Sequence, residues 1–395
     1  MSPHAYIWFH LNLAFSSISI ESRSDVIRRC YRPLLEMAKN TGIPLGIEVS
    51  GWTLAKIHEL DPEWIDEFKD GIDNGLFELI GSGFVQLIGP LVPYSVNRWN
   101  QQLGLDIYNQ LLGIRPKLIL VNEMVFSSSM VDIYAEFGYS GFIMERNNIC
   151  LALDVGEHNL GDLPTHGVGP EGSCLPVLWA DSIFFQQLQR YVHGDIRRDV
   201  YLEFISERIA TGDTLLPIYS NDAEVFDFRP GRFSTESPTH PAGEWNRMKT
   251  ILELLSSQNN ITWLLPSEAL ERKKGEEKIF TSPMVSSAQP IPVKKQSKYN
   301  LSRWAITGRN DAWINTMCHR FVKHLERLPS SEQTAEDWQQ LCMLWSTDLR
   351  THISLDRKQS ETVLGKAFEK VVVTYTIPEQ PQQEEARSGD SDLSA

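Results

Sequence analysis

Over the first 270 residues, short unbroken apolar runs alternate with stretches in which apolar residues recur every three or four positions. The clearest run is Leu118-Ile119-Leu120-Val121, which follows Lys117 and ends abruptly on Asn122-Glu123. Such a run has no polar alternate face, so it predicts a strand buried on both sides, as in parallel sheets. Further strands are predicted over residues 5–13, 44–49, 76–80, 141–144, 175–179 and 261–265, with another running through Leu216-Pro217-Ile218-Tyr219 to Asp222. The intervening periodicity predicts helices. The first spans 22–40, with Val26, Ile27, Cys30, Tyr31, Leu34, Leu35 and Ala38 on one stripe and Pro33 as an interruption. Others span 52–60, 62–74 (opened by Asp61 and Pro62), 98–112, 129–137, 197–209 and 243–256. Strand and helix alternate about seven times, which predicts a parallel sheet closed, or nearly closed, into a barrel.

The character changes after Leu270. Residues 271–300 are charged and then Ser/Pro-rich, as a linker or arm would be. Helical stripes return over 313–325, where Trp313, Ile314, Met317, Cys318, Phe321 and Leu325 align, and over 338–349, with a third helix expected over 355–368. Together they form a helical segment, 301–372, docked on the barrel, and the acidic tail 373–395 has almost nothing to bury and is expected to be disordered. The Gly-, Asp- and His-rich stretch 147–172 is expected to lie over the barrel mouth.

Composition narrows the function. At 395 residues and 42% hydrophobic, the chain can bury a large core. A formal net charge of −14 argues against a nucleic-acid partner and suits neutral or cationic substrates. Of the five cysteines, Cys30, Cys318 and Cys342 fall on apolar helical stripes and no CxxC pair occurs, which predicts free thiols in a reducing, cytoplasmic setting. The N-terminal apolar run is interrupted by His10 and Asn12, so it reads as a barrel strand and not a signal peptide; no run reaches membrane-spanning length. The sequence has no HExxH, no Cys-rich metal pattern, no GxSxG elbow and no phosphate loop, so neither a metal nor another cofactor is expected.

Candidate chemistry sits at strand ends. Glu123 follows a buried strand, where barrels place catalytic groups; it also reads as an ordinary surface acid. Asn221-Asp222-Ala223-Glu224 ends another strand in the same way, and Asp222 and Glu224 point alike if the segment is extended. Two carboxyls meeting across a barrel mouth are what glycoside chemistry requires. His10 and Asn12 lie two apart on one strand and face the same way, as ligand contacts or as a satisfied core histidine and its neighbour. Glu78 opens a stretch running to Gln86 whose Gly81 and Gly83 permit either close approach of a ligand or a tight turn. Trp345, Asp348 and His352 share a face if their helix continues, as sugar contacts or as a docked helix end.

Three of these stretches resemble signatures of glycoside hydrolase family 57. Phe77-Glu78-Leu79-Ile80-Gly81-Ser82-Gly83-Phe84 is similar to the second, Leu120-Val121-Asn122-Glu123-Met124-Val125 to the third and Asn221-Asp222-Ala223-Glu224-Val225-Phe226 to the fourth. The resemblance covers about residues 5–270. It implies an incomplete (β/α)7 barrel, residues 1–270, followed by the helical segment, and a retaining α-glucan-active hydrolase or transglycosylase with Glu123 as nucleophile and Asp222 as general acid/base. His10, Asn12, Glu78, Glu224, Trp345, Asp348 and His352 would then contact an oligo- or polysaccharide. The chain departs from the family pattern where His10-Leu11-Asn12 replaces His-Gln-Pro, at Leu120 and Met124 around the nucleophile, and where Phe226-Asp227 replaces Phe-Gly. The altered first signature leaves open a carbohydrate-binding or scaffold barrel with little or no catalysis. A metal-dependent sugar deacetylase is a third reading, against which the lack of a His pair at ligand spacing counts.

Overall fold

The first strand, β1 (His4–Leu11), explains why the strands read as unbroken apolar runs. Its alternate residues Ala5, Ile7, Phe9 and Leu11 enter the large core between sheet and helices, while Tyr6 and Trp8 enter a second apolar core with Ile80, Leu118, Leu120, Ile143, Leu178 and Ala180. Both faces are therefore dry, as in sheets covered on both sides. The computed structural model describes residues 3–15, 17–147, 165–212, 214–229, 239–258, 261–273, 304 and 311–348.

In chain order β1 is followed by α1 (Arg23–Val26), a π-helical turn (Ile27–Tyr31), α2 (Arg32–Thr41), β2 (Leu45–Val49), α3 (Gly51–Leu60), α4 (Pro62–Asp73) and β3 (Phe77–Gly81). Then come α5 (Tyr94–Leu112), β4 (Leu118–Leu120), α6 (Ser129–Glu136), β5 (Gly141–Glu145), β6 (His166–Val168) and β7 (Cys174–Ala180). The barrel part ends with α7 (Ser182–His193), α8 (Arg198–Ala210), β8 (Leu215–Asp222), α9 (Glu244–Gln258), β9 (Thr262–Leu264) and α10 (Pro266–Lys273), and α11 (Asp311–Leu325) and α12 (Ala335–Trp345) follow. The sheet order is β6-β7-β5-β4-β3-β2-β1-β8, with β9 also beside β1. Every pairing is parallel except β6 with β7. The Tyr6 hydroxyl on β1 donates to the Trp179 carbonyl on β7, with four strands, β2, β3, β4 and β5, between them in the sheet order. That bond crosses the interior only because the sheet curls into a barrel-like form.

Two helices were not anticipated from the pattern. Asp181 caps α7, accepting from the Ile183 and Phe184 amides, and Phe184, Leu188, Tyr191 and Val192 form its buried stripe. Helix α10 begins on Pro266 and runs through the boundary expected at Leu270 into the stretch read as linker. Its Ala269 and Leu270 join the inner core, and Pro266 reaches Gly46, where an added Cβ would stand 2.8 Å from the proline Cγ. Helix α10 thus closes the barrel at the strand N-termini.

The C-terminal helices α11 and α12 bury Ile314, Met317, Cys318, Phe321, Leu325, Trp338, Leu341 and Trp345 against Phe84, Val85, Leu87, Val96 and Leu103. Trp99 of α5 stacks on Trp338 at 5.3 Å. Trp313, expected on the inward stripe, is half exposed instead. Most of the expected linker, the helix over 355–368 and the acidic tail 373–395 lie outside the described residues. No helix among the described residues is long and apolar enough to cross a membrane.

Candidate active site

The site is built at the strand C-termini. The parallel register sets His10 of β1 beside Glu48 of β2 on one side and Asp222 of β8 on the other. The Ala223 amide continues the ladder to the His10 carbonyl at 2.9 Å, and then the chain turns. Glu224 is thereby carried inward, where it is 2% exposed. One of its oxygens, Oε1, accepts both the Asn12 amide, at 2.7 Å, and the Tyr31 hydroxyl. Burial, then the charge of Asp222, push the Glu224 carboxyl up to about 7 despite His10 and these donors.

Tyr31 reaches Glu224 from the π-helical turn. There the Arg32 amide bonds to Ile27, five residues back, immediately before Pro33, which has no N–H to give. The interruption expected at Pro33 is therefore a widened turn and not a break, and it leaves Tyr31 fully buried.

Glu48 is fully buried and pairs with His10 Nδ1, while Gln86 Nε2 lies 2.7 Å from His10 Nε2. Burial opposes charge on the imidazole, but Glu48, with Asp222 and Glu224 behind it, outweighs burial and raises His10 to about 10. Neither Glu48 nor Gln86 was among the expected site residues. The signal for Glu48 was present, as a carboxylate inside the apolar run Leu45-Gly46-Ile47-Glu48-Val49.

The segment after α12 enters the same mouth. Ser346, at φ −54° and ψ 136°, ends the helix, so Trp345 and Asp348 do not share a helical face as expected. The Thr347 amide donates to the Gln86 carbonyl at 3.0 Å, and Asp348 Oδ1 accepts from the Asn12 side-chain amide at 3.1 Å. Burial, then the charge of Glu123, push the Asp348 carboxyl up to about 6. Trp345 is instead buried in the helical core, with the His319 ring edge-on at 5.2 Å. His352 lies outside the described residues, as do residues 148–164 of the expected loop.

Glu123 follows β4 in a left-handed conformation (φ 53°), and Met124 repeats it (φ 57°). Each such residue costs about 1–3 kcal/mol and persists only where its surroundings dictate it. Asn122 supplies the anchor: it exchanges two hydrogen bonds with Ser82, at 2.8 and 3.1 Å, so the strand end is pinned to its neighbour. Gly83 is also left-handed (φ 79°), and an added Cβ on Gly104 of α5 would meet the Gly83 carbonyl carbon at 2.4 Å. The close approach around Gly83 is thus to a helix. Glu78 stands apart from the group at the mouth: it is buried near the start of β3, where its carboxylate accepts from the Ser267 amide of α10 at 2.8 Å.

The departure at Asp227 has a backbone explanation. Asp227 adopts φ 58°, a conformation that glycine takes readily and aspartate tolerates, and its carboxylate accepts the Glu244 and Trp245 amides that open α9. A second buried polar group occupies the ends of β5 and β7, where Arg146 pairs with Asp181 at 2.6 Å and Asn147 bonds Glu145, Asp181 and Ser182. Among the described residues no group of three or more His, Cys, Asp or Glu side chains is arranged to hold a metal ion.

Comparison with known proteins agrees with the family resemblance, and two of its three signature stretches, 77–84 and 120–125, lie inside the matched segment. Residues 4–166 match the model of glycosyl hydrolase family 57. An α-amylase from Pyrococcus horikoshii is 21% identical over 301 residues, covering 76% of this chain and 43% of its own length. The chain spans about two fifths of the length of the curated relatives it matches first, at 40%, 43% and 41%. Among solved structures, an α-amylase from Thermotoga maritima superposes with a TM-score of 0.66 at 12% identity, covering 95% of this chain and 93% of that one. A branching enzyme from Pyrococcus horikoshii superposes with a TM-score of 0.63 at 13% identity, covering 94% and 88%. At these identities the structural likeness establishes the fold.

Proposed function

We propose, from the assignment of residues 4–166 to glycosyl hydrolase family 57, that this chain is a retaining glycoside hydrolase or transglycosylase acting on α-linked glucan. The substrate class is carried over from the matched proteins, which are named as α-amylases and a branching enzyme. The observation that carries the reading is the convergence at one mouth of His10, Glu48, Asp222, Glu224 and Asp348, drawn from β1, β2, β8 and the segment after α12. The field of Glu123 acts on this group through Asp348.

Glu123 attacks the anomeric carbon, and the electrons of the broken C–O bond pass to the leaving oxygen, which takes the proton of Asp222. The glycosyl–Glu123 ester is then opened by water or an acceptor hydroxyl, whose proton returns to Asp222. The two carboxyls of such a pair lie about 5–5.5 Å apart. Glu224, beside Asp222, tunes its proton affinity, and Asn12 and Asp348 line the sugar-binding mouth, with His10 next to them. In this reading residues 1–270 are the catalytic barrel, and the helical segment docks on it and supplies Asp348.

The test is a covalent trap. Wild type and Glu123→Gln are incubated with a panel of activated α-glycosyl fluorides and examined by intact mass. An adduct on the wild type that is absent from Glu123→Gln is expected. No adduct and no turnover, with measurable glycan binding, would reject catalysis in favour of a carbohydrate-binding barrel.

A further inference from the structure

Glu48 is an odd residue for its place. It is 0% exposed within an otherwise apolar strand, and its Oε1 has no hydrogen-bond partner among the described residues. Its other oxygen meets His10 Nδ1. A buried ion pair of this kind is seldom better for stability than well-packed apolar side chains, so stability alone gives no reason for it. Its geometry has a consequence for the reaction. With Nδ1 occupied, the ring is fixed in orientation and Nε2 is turned toward the Gln86 side-chain amide, which faces a charged ring with its oxygen end, since an imidazolium donates from both nitrogens. The parallel register places Asp222 on the other side of the same histidine.

We propose that Glu48 is a positioning residue: it holds His10 as an oriented cation beside Asp222 and thereby favours the proton transfer from Asp222 to the leaving oxygen. That transfer moves a negative charge onto Asp222 as Glu123 loses its own, so a fixed cation next to Asp222 stabilises the charge that develops in the first step. The same cation makes Asp222 a weaker base in the second step, which prolongs the glycosyl-enzyme. The groups that face His10 are Glu48 of β2, Asp222 and Glu224 at the end of β8, Asp348 after α12, and the neutral Gln86 amide. Of these Glu48 alone meets Nδ1, and after burial it is the largest influence on the ring.

The inference rests on the glycosidase reading, so its test separates the two. Histidine-labelled protein is titrated by NMR without substrate, with the His10 signal assigned from its loss in His10→Asn. The wild-type ring is expected to stay imidazolium through pH 8. In Glu48→Gln burial is left to dominate and the midpoint falls to the ordinary histidine range of about 6.5 or below. At pH 8, kcat/KM for a maltooligosaccharide, whose leaving sugar needs a proton, should fall about 10- to 100-fold. For α-glucosyl fluoride, whose leaving group needs none, it should fall less than about 3-fold. A ring that stays charged in Glu48→Gln, or equal losses on both substrates, overturns the inference. If Glu48→Gln does not fold, Glu48→Asp replaces it, since that variant draws the charge back from Nδ1. A lowered midpoint with the same substrate split then supports the inference, and an unchanged midpoint overturns it. A neutral His10 at pH 7.5 in an active wild type would sink the inference alone. An inactive wild type would sink the glycosidase reading, and the role in proton transfer with it, whatever the titration shows.

Discussion

Glu224→Gln should make the protein more stable at pH 8 while leaving its stability at pH 4 nearly unchanged. The Glu224 carboxyl rises from the ordinary 4.5 to about 7 because it is buried beside Asp222. A carboxyl whose pKa is raised in the folded state contributes most below its unfolded pKa, and that contribution is lost as pH climbs through the folded value. Between pH 4.5 and 7 the wild type therefore gives up about 3 kcal/mol through this group, at 1.36 kcal/mol per pH unit. Glutamine removes that penalty. It also preserves the contacts, because the Asn12 amide and Tyr31 hydroxyl both donate to Oε1, which the amide oxygen can replace. Urea denaturation of both proteins at pH 4, 6 and 8 reads the effect as a stability gain for the variant that grows from near zero to about 2–3 kcal/mol. A variant less stable than the wild type at pH 8 would refute the reasoning. It would mean that ionised Glu224 earns more from the cationic His10 than it loses by burial.

Two further predictions concern the scaffold. Gly104→Ala drives a methyl group against the Gly83 backbone, at 2.4 Å before relaxation, and should destabilise by about 2 kcal/mol or more, visible as a lowered urea midpoint and weakened activity. Asp227→Gly should be nearly neutral, since relief of the left-handed backbone offsets the lost α9 cap. Asp227→Ala loses the cap and keeps the strain, so it should cost about 2 kcal/mol in the same assay.

Much of the barrel was legible because a strand buried on both faces must be apolar at every position, and a helix with one buried face must repeat every three or four. Leu118–Leu120, residues 45–47 and the stripe from Val26 to Ala38 satisfy those rules locally, and Glu48 breaks the first of them. Asp222 and Glu224 were legible for a related reason: a carboxylate that ends an apolar strand interrupts an otherwise dry pattern. Helix α7 carries its own local signals, the Asp181 cap and the spacing of Phe184, Leu188 and Tyr191.

The sequence by itself determined which segments are buried and where the polar strand ends fall, because burial leaves a periodic mark on the residues that undergo it. It did not determine which of those ends meet. Glu78 and Glu48 both stand in apolar strands, yet Glu78 lies near its strand's start, against α10, and Glu48 near its strand's end, against His10. Trp345 and Asp348 are three residues apart, yet the helix stops between them, so one packs in the helical core while the other reaches Asn12. Those outcomes depend on strand register, on curling of the sheet and on the Thr347–Gln86 backbone bond, all contacts between residues distant in the chain. Local periodicity carries no record of such contacts, and only the tertiary structure decided them.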